Sequence, residues 1–171
     1  MKVSDWICEF LRSKVGHVFG VQGGAVTHLF DSCGRYGPKP VFHHHEQAAA
    51  FAAFGYSVVR GYGVCISTTG PGSTNTLTGL LAGWQCSQPM MFISGQARAD
   101  QTSYGRPVRQ TGTQEYPIVA MTSQASKAAY FVKDAGAVKA VFERAYAQSV
   151  GGRPGPVWID LPVNVSWEQM P

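Results

Sequence analysis

The chain has 171 residues, of which 44% are hydrophobic and 14% charged, with 20 glycines and 10 prolines. That composition fits one globular domain able to bury its own core and excludes the disordered and coiled-coil classes. The net charge of +4 is mild, and the 14 Lys and Arg are scattered without interleaved aromatics, which argues against a nucleic-acid groove. The cysteines Cys8, Cys33, Cys65 and Cys86 lack metal-like spacing. Cys8 and Cys65 fall on apolar segments and read as small core residues, so a reduced, cytoplasmic setting is the expectation. The first six residues carry charge where a signal peptide would be apolar, and no apolar run reaches membrane-spanning length.

In chain order, Ser4 or Asp5 is placed to cap a first helix whose apolar face is Ile7, Phe10, Leu11 and Val15. Residues 17–21 read as a short buried strand, and Gly23-Gly24 turns into a helix ending near Gly34. Residues 41–43 begin a second strand, followed at Glu46 by an alanine-rich helix with small faces suited to close packing. Residues 63–67 form a third strand, residues 68–75 a loop, and 76–84 a helix. A fourth strand covers 89–95, and a long polar loop runs from Gln96 to Thr113. A fifth strand (128–132), a helix (135–150) and a last strand (156–160) complete the series. Continuously apolar strands alternating with helices predict a three-layer α/β fold, a mostly parallel sheet of about six strands with helices on both faces. Ligands in such folds bind at the carboxyl ends of strands. The informative turns are therefore Gln22 to Gly24, His43 to Glu46, Thr68 to Asn75, and Gly95 onward.

Thr69-Gly70-Pro71-Gly72-Ser73-Thr74-Asn75 reads either as a backbone cradle for a ligand, a phosphate included, or as a plain strand-to-helix turn. It lacks the lysine of a P-loop and the spacing of a dinucleotide fingerprint. In His43-His44-His45-Glu46 neighbouring side chains alternate faces, so only His43 and His45 converge and no metal site is expected. Glu46, by position alone, is a first-turn acid favoured by the helix dipole. Gln114 and Glu115 read as ligand contacts or helix caps, and Lys127 as a surface lysine.

Taken in order, Val18-Phe19-Gly20 with Gly23-Gly24, His45-Glu46-Gln47-Ala48-Ala49 and Ser67-Thr68-Thr69-Gly70-Pro71-Gly72-Ser73-Thr74-Asn75 resemble the N-terminal aminopyrimidine-binding (Pyr) domain of thiamine-diphosphate enzymes. Ile93-Ser94-Gly95-Gln96, Gln114-Glu115, Gly152-Arg153-Pro154-Gly155-Pro156-Val157 and Asp160-Leu161-Pro162 extend the likeness, which is strongest to the acetolactate synthase group. The resemblance implies a Pyr domain over 1–163, with 164–171 a C-terminal tail or the start of a linker. Glu46 matches the family's activating glutamate, which hydrogen-bonds N1′ of the aminopyrimidine so that the 4-amino group can take the thiazolium C2 proton, a role in which burial should dominate over the helix dipole. Gly23, Gly24, Thr68, Pro71, Gly72 and Asn75 match positions lining the aminopyrimidine pocket. Gln114 matches a catalytic glutamine near the reacting centre, and Lys127 a lysine near the substrate. Gln22, His44 and Thr113 depart from the pattern, standing where the family usually has Pro, Arg and an aromatic.

The implied cofactors are thiamine diphosphate and Mg²⁺, the metal held by a Gly-Asp-Gly motif of a separate diphosphate-binding domain; that motif is absent from this sequence. The expected protein is thus a subunit or fragment of a 2-keto acid carboligase or decarboxylase, in a homo- or hetero-oligomer whose other chain supplies the diphosphate domain, with no nucleic-acid or membrane partner. A separately encoded subunit is slightly favoured over an excised piece. The alternatives are the small subunit of a sulfopyruvate- or phosphonopyruvate-type decarboxylase, a regulatory module of the same fold without turnover, and a flavodoxin-like nucleotide binder.

Overall fold

The computed structural model describes residues 1–171 and contains, in order, α1 (Val3–Arg12), β1 (His17–Gly20), α2 (Thr27–Tyr36), β2 (Lys39–Phe42), α3 (Glu46–Arg60), β3 (Gly63–Ser67), α4 (Pro71–Thr74), α5 (Leu77–Gln85), β4 (Met90–Gln96), α6 (Ile118–Thr122), β5 (Ala128–Phe131), α7 (Ala135–Val150), β6 (Pro156–Pro162) and α8 (Val163–Trp167). The strands form one six-stranded sheet in the order β2-β1-β3-β4-β6-β5, and every pairing is parallel. The three-layer α/β expectation is met, and the sheet is wholly parallel.

The apolar strands serve two cores because successive side chains leave a strand on opposite faces. Val18, Val64, Ile66, Met91, Ile93, Val157 and Ile159 pack under α1, α2 and α7. Phe19, Cys65, Phe92 and Trp158 pack under α3, α5 and α6, with Phe92 and Trp158 stacked at 5.5 Å. Burying faces of this kind contributes roughly 1.5–3 kcal/mol per large aliphatic or aromatic side chain. Cys8, Cys33 and Cys65 are core residues, and Cys86 is exposed.

The alanines of α3 allow α5 to approach closely: a Cβ built on Gly79 would lie 2.5 Å from the Cβ of Ala50. Gly79→Ala should gain up to about 1 kcal/mol in helix propensity, yet overpacking costs about 1–3 kcal/mol, so the steric effect wins. We expect a net loss of about 1–2 kcal/mol, checked by denaturant unfolding.

One local expectation is corrected, the cap of the first helix. Ser4 and Asp5 lie inside the first turn of α1; the helix starts at Val3, and the Asp5 carboxylate accepts the Lys2 N–H at 3.3 Å, capping from within. The segment after Pro162 contains α8, which packs on α1 and α2. Val165 and Ser166 are buried, the rings of His28 and Trp167 lie 4.8 Å apart, and Val3 N–H donates to the Glu168 carbonyl at 2.8 Å. No helix is long and apolar enough to cross a membrane.

The strand order reverses between β1 and β3, because β2 flanks β1 on one side and β3 on the other. The chains leaving those two carboxyl ends part there, which opens a crevice.

Candidate functional site

After β2 the backbone bends at His44 and His45 and turns into α3, whose first residue is Glu46. The three histidines take separate environments. His45 Nδ1 accepts the Gln47 N–H at 3.1 Å as the helix cap, His43 Nδ1 lies 3.2 Å from the Val41 carbonyl, and His44 is exposed. No group of three or more His, Cys, Asp or Glu side chains is gathered to hold a metal ion. Glu46 is half-buried at the first turn of α3. Asn75 Nδ2 donates to Glu46 Oε2 at 2.9 Å, whereas Oε1 has no hydrogen bond within the chain and faces Gly72.

Two glycines bring the turns together. A Cβ on Gly23 would lie 2.5 Å from the Thr68 Cβ, and one on Gly72 would lie 2.7 Å from Thr68 Cγ2. Thr68 is therefore clamped between two bare backbones, and its Oγ1 accepts the Ala25 N–H at 3.3 Å. Nothing comes within 4 Å of a Cβ on Gly24, so that backbone faces open space. The turns after β1, β2 and β3 thus meet around Glu46. The stretch after Gly70 holds only the single-turn α4, which favours the plain-turn reading of this segment over a phosphate cradle.

Gly70 has φ +59, a conformation that favours glycine, and a Cβ there would lie 2.4 Å from the Gln114 carbonyl oxygen. Gln114 itself sits at φ +57 with its side chain exposed. Gly70, Pro71, Thr74, Gln110, Gln114 and Tyr116 line an open groove of about 370 Å³ beside these turns. Glu115 points inward instead: it accepts from Ser103 Oγ at 2.7 Å and from the Thr111 N–H at 3.3 Å, folding the long loop onto itself.

Below this groove lies a buried polar chain. Asp160, fully buried in β6, accepts from Ser94 Oγ at 2.7 Å, Gln96 Nε2 at 2.9 Å and Tyr104 OH at 3.2 Å. Gln96 Oε1 in turn accepts from Thr69 Oγ1 at 2.8 Å, and that hydroxyl also lies 3.2 Å from the Gln114 carbonyl. Burial pushes the Asp160 carboxyl up to about 7, against the pull of its three donors. Sequence reasoning gives no individual role to Thr69, Gln96 or Asp160; Asp160 is signalled as a polar residue in an apolar strand, Thr69 lies in the candidate cradle, and Gln96 reads as the start of the long loop but ends β4.

The structure does not bring Lys127 to the others. It precedes β5, at the amino end of the sheet, where its ammonium donates to the Gly151 carbonyl and borders a 430 Å³ pocket with Trp84 and Arg153.

A sequence profile of the family described as "Thiamine pyrophosphate enzyme, N-terminal TPP binding domain" matches residues 1–126. The chain is 33% identical over 167 residues to the acetolactate synthase isozyme 2 large subunit of Escherichia coli (strain K12), covering 96% of this chain and 29% of that protein. It is 36% identical over 181 residues to the chloroplastic acetolactate synthase of Arabidopsis thaliana, covering 98% of this chain and 26% of that protein. Against the chloroplastic acetolactate synthase 2 of Nicotiana tabacum it is 38% identical over 170 residues, covering 96% and 24%. The chain thus spans less than a third of the length of these relatives.

Proposed function

The chain belongs to the thiamine pyrophosphate enzyme N-terminal domain family, and from that premise we propose that its crevice binds the aminopyrimidine ring of thiamine diphosphate, with Glu46 as the activating acid. The observation that carries this reading is the division of labour at the carboxylate: Asn75 holds Oε2, and Oε1 is left to meet a ring nitrogen. Gly23 and Gly72, closed tightly on Thr68, fit a flat ring laid against backbone, with Gly24 open beside them. Pro71 and Gln114 both line the groove, and in this reading Gln114 serves the reacting centre. When bound, the cofactor supplies the thiazolium carbon and the electron sink that 2-keto acid chemistry needs. Glu46 would hold a proton between its free Oε1 and the ring nitrogen, and the ring together with a covering domain would exclude water from it.

The reaction class is a 2-keto acid carboligation or decarboxylation of the acetolactate synthase type, with the diphosphate and Mg²⁺ held by a separate domain or chain. An exposed apolar face supports that need for a cover: Phe51 and Val58 on α3 and Leu81 on α5 remain 42%, 55% and 45% accessible beside the helix that begins at Glu46. Lys127, at the far end of the sheet, is not part of this pocket.

Glu46→Gln keeps the shape and removes the shared proton. In an assembly that includes the diphosphate-binding domain, exchange of the cofactor's C2 proton for deuterium should slow by about 10²–10⁴-fold, the usual contribution of a positioned acid or base. Unchanged exchange would reject the role.

A further inference from the structure

We propose that Thr69 is the positioning residue of this site: its buried hydroxyl, anchored through Gln96 to Asp160, holds the Gln114 carbonyl against Gly70 and so fixes the wall of the groove. Thr69 is buried on the turn that follows β3, one residue before the glycine whose φ is +59. Its Oγ1 lies 2.8 Å from Gln96 Oε1 and 3.2 Å from the Gln114 carbonyl oxygen, so its single proton is shared between the two acceptors, and no other group of the chain donates to that carbonyl. Gln114 needs such a hold, because a non-glycine residue at positive φ is strained by about 1 kcal/mol or more and relaxes when released.

The anchor below is rigid because the Gln96 amide has one orientation available. Its Nε2 faces two acceptors, Asp160 Oδ2 at 2.9 Å and the Tyr116 carbonyl at 2.9 Å. Its Oε1 faces two donors, Thr69 Oγ1 and the Ala97 N–H at 2.9 Å. Flipping the amide would set its NH2 against the Ala97 N–H and its oxygen against both the Asp160 carboxylate and the Tyr116 carbonyl. Asp160, with three donors of its own, pins the far end in β6. The chain therefore runs from the centre of the sheet to the backbone of Gln114, across three segments distant in sequence. What the groove holds rests on the function proposed above; that Thr69 sets its shape does not.

The test compares Thr69→Val, which keeps the methyl and the volume but deletes the hydroxyl, with Thr69→Ser, which keeps the hydroxyl. In the 171-residue chain, backbone coupling constants and carbon shifts at Gln114 report the sign of its φ. In T69V these should move to values for negative φ, and the affinity for 4-amino-2-methylpyrimidine should fall about fivefold, the effect of one net hydrogen bond. T69S should retain both. A packing role for Thr69 would give the reverse pattern, with T69S perturbed and T69V unchanged, and either of those results overturns the proposal. If T69V does not fold, Thr69→Ala, which deletes the hydroxyl with less bulk, carries the same comparison. Failure of the wild-type chain to bind the aminopyrimidine counts against the function proposed above, while the Gln114 signals still decide this one.

Discussion

Replacing Asp160 by asparagine should leave stability nearly unchanged at pH 5 and raise it by about 3 kcal/mol at pH 8. The wild-type carboxyl is raised from the ordinary 3.8 to about 7, chiefly because it is stripped of water, with the nearby Glu115 charge adding to the effect. A group whose pKa is higher in the folded state than in the unfolded chain stabilises fully below the unfolded value. That contribution is lost as the pH climbs through the folded value. Over the interval from 3.8 to about 7 the loss amounts to about 4 kcal/mol, at about 1.4 kcal/mol per pH unit. Asparagine is neutral throughout and keeps an oxygen for Gln96 and Tyr104. Its amide turns toward Ser94 Oγ, which already accepts from Trp158 Nε1 at 2.9 Å and has a second lone pair. The Ser94 hydroxyl proton then loses its acceptor, at about 1 kcal/mol. At pH 5 the wild type has already lost about 1.6 kcal/mol, so the two proteins should be within about 1 kcal/mol of each other, and at pH 8 the variant should be about 3 kcal/mol the stronger. Denaturant unfolding of both proteins at the two pH values measures the difference, in which the other titrating groups cancel. Parallel profiles would show that the carboxyl titrates normally despite its burial.

The same residue illustrates what sequence could and could not reveal. The fold was legible because its signals are local. Glycine-bounded apolar runs mark β3 and β4, and a capped 16-residue pattern marks α7, where Asp134 accepts the Ala137 N–H at 3.0 Å. The short α8 gave no such signal, since five residues complete barely one turn of periodicity and its buried side rests on α1 and α2, far away in sequence. Asp5 reads as a cap because its type and position fit one; only the backbone shows it bonding backward to Lys2 from the third position of the helix.

The candidate site divides along the same line. Glu46 and the Gly70-Pro71-Gly72 turn announce themselves at strand ends, and the structure joins the glutamate to Asn75, 29 positions away. The polar chain from Asp160 to Thr69 does not announce itself. Ser94 and Asp160 sit in strands read as apolar, Gln96 reads as the start of a loop, and their meaning depends on β4 pairing with β6 in a register that sets Ser94 opposite Asp160. Lys127 shows the converse: a position matched in sequence order lies at the wrong end of a parallel sheet to join Glu46 within one chain.

Gly70→Ala should be among the most damaging single-methyl additions this chain can take, and two effects act together. The added Cβ meets a backbone oxygen, that of Gln114, at 2.4 Å, and a carbonyl cannot rotate away as a flexible side chain can. The backbone at φ +59 and ψ −123 is moreover open to glycine and strained for alanine. Together these cost about 3 kcal/mol, which for a chain of this size lowers the unfolding temperature by about 6–12 °C. The sheet beneath is fully packed, so relief comes from displacement of the Gln114 segment, and the groove loses that wall. Affinity for the aminopyrimidine probe should fall by about 30-fold or more, the equivalent of about 2 kcal/mol. Gly34→Ala is the matched control: nothing lies within 4 Å of its added Cβ, in the body of α2, and the same methyl should stabilise by about 0.5–1 kcal/mol. Calorimetric unfolding and titration with the probe read both numbers. If Gly70→Ala unfolds with the wild type and binds as tightly, the turn is not the rigid wall that the close approach of Gly70 to Gln114 requires.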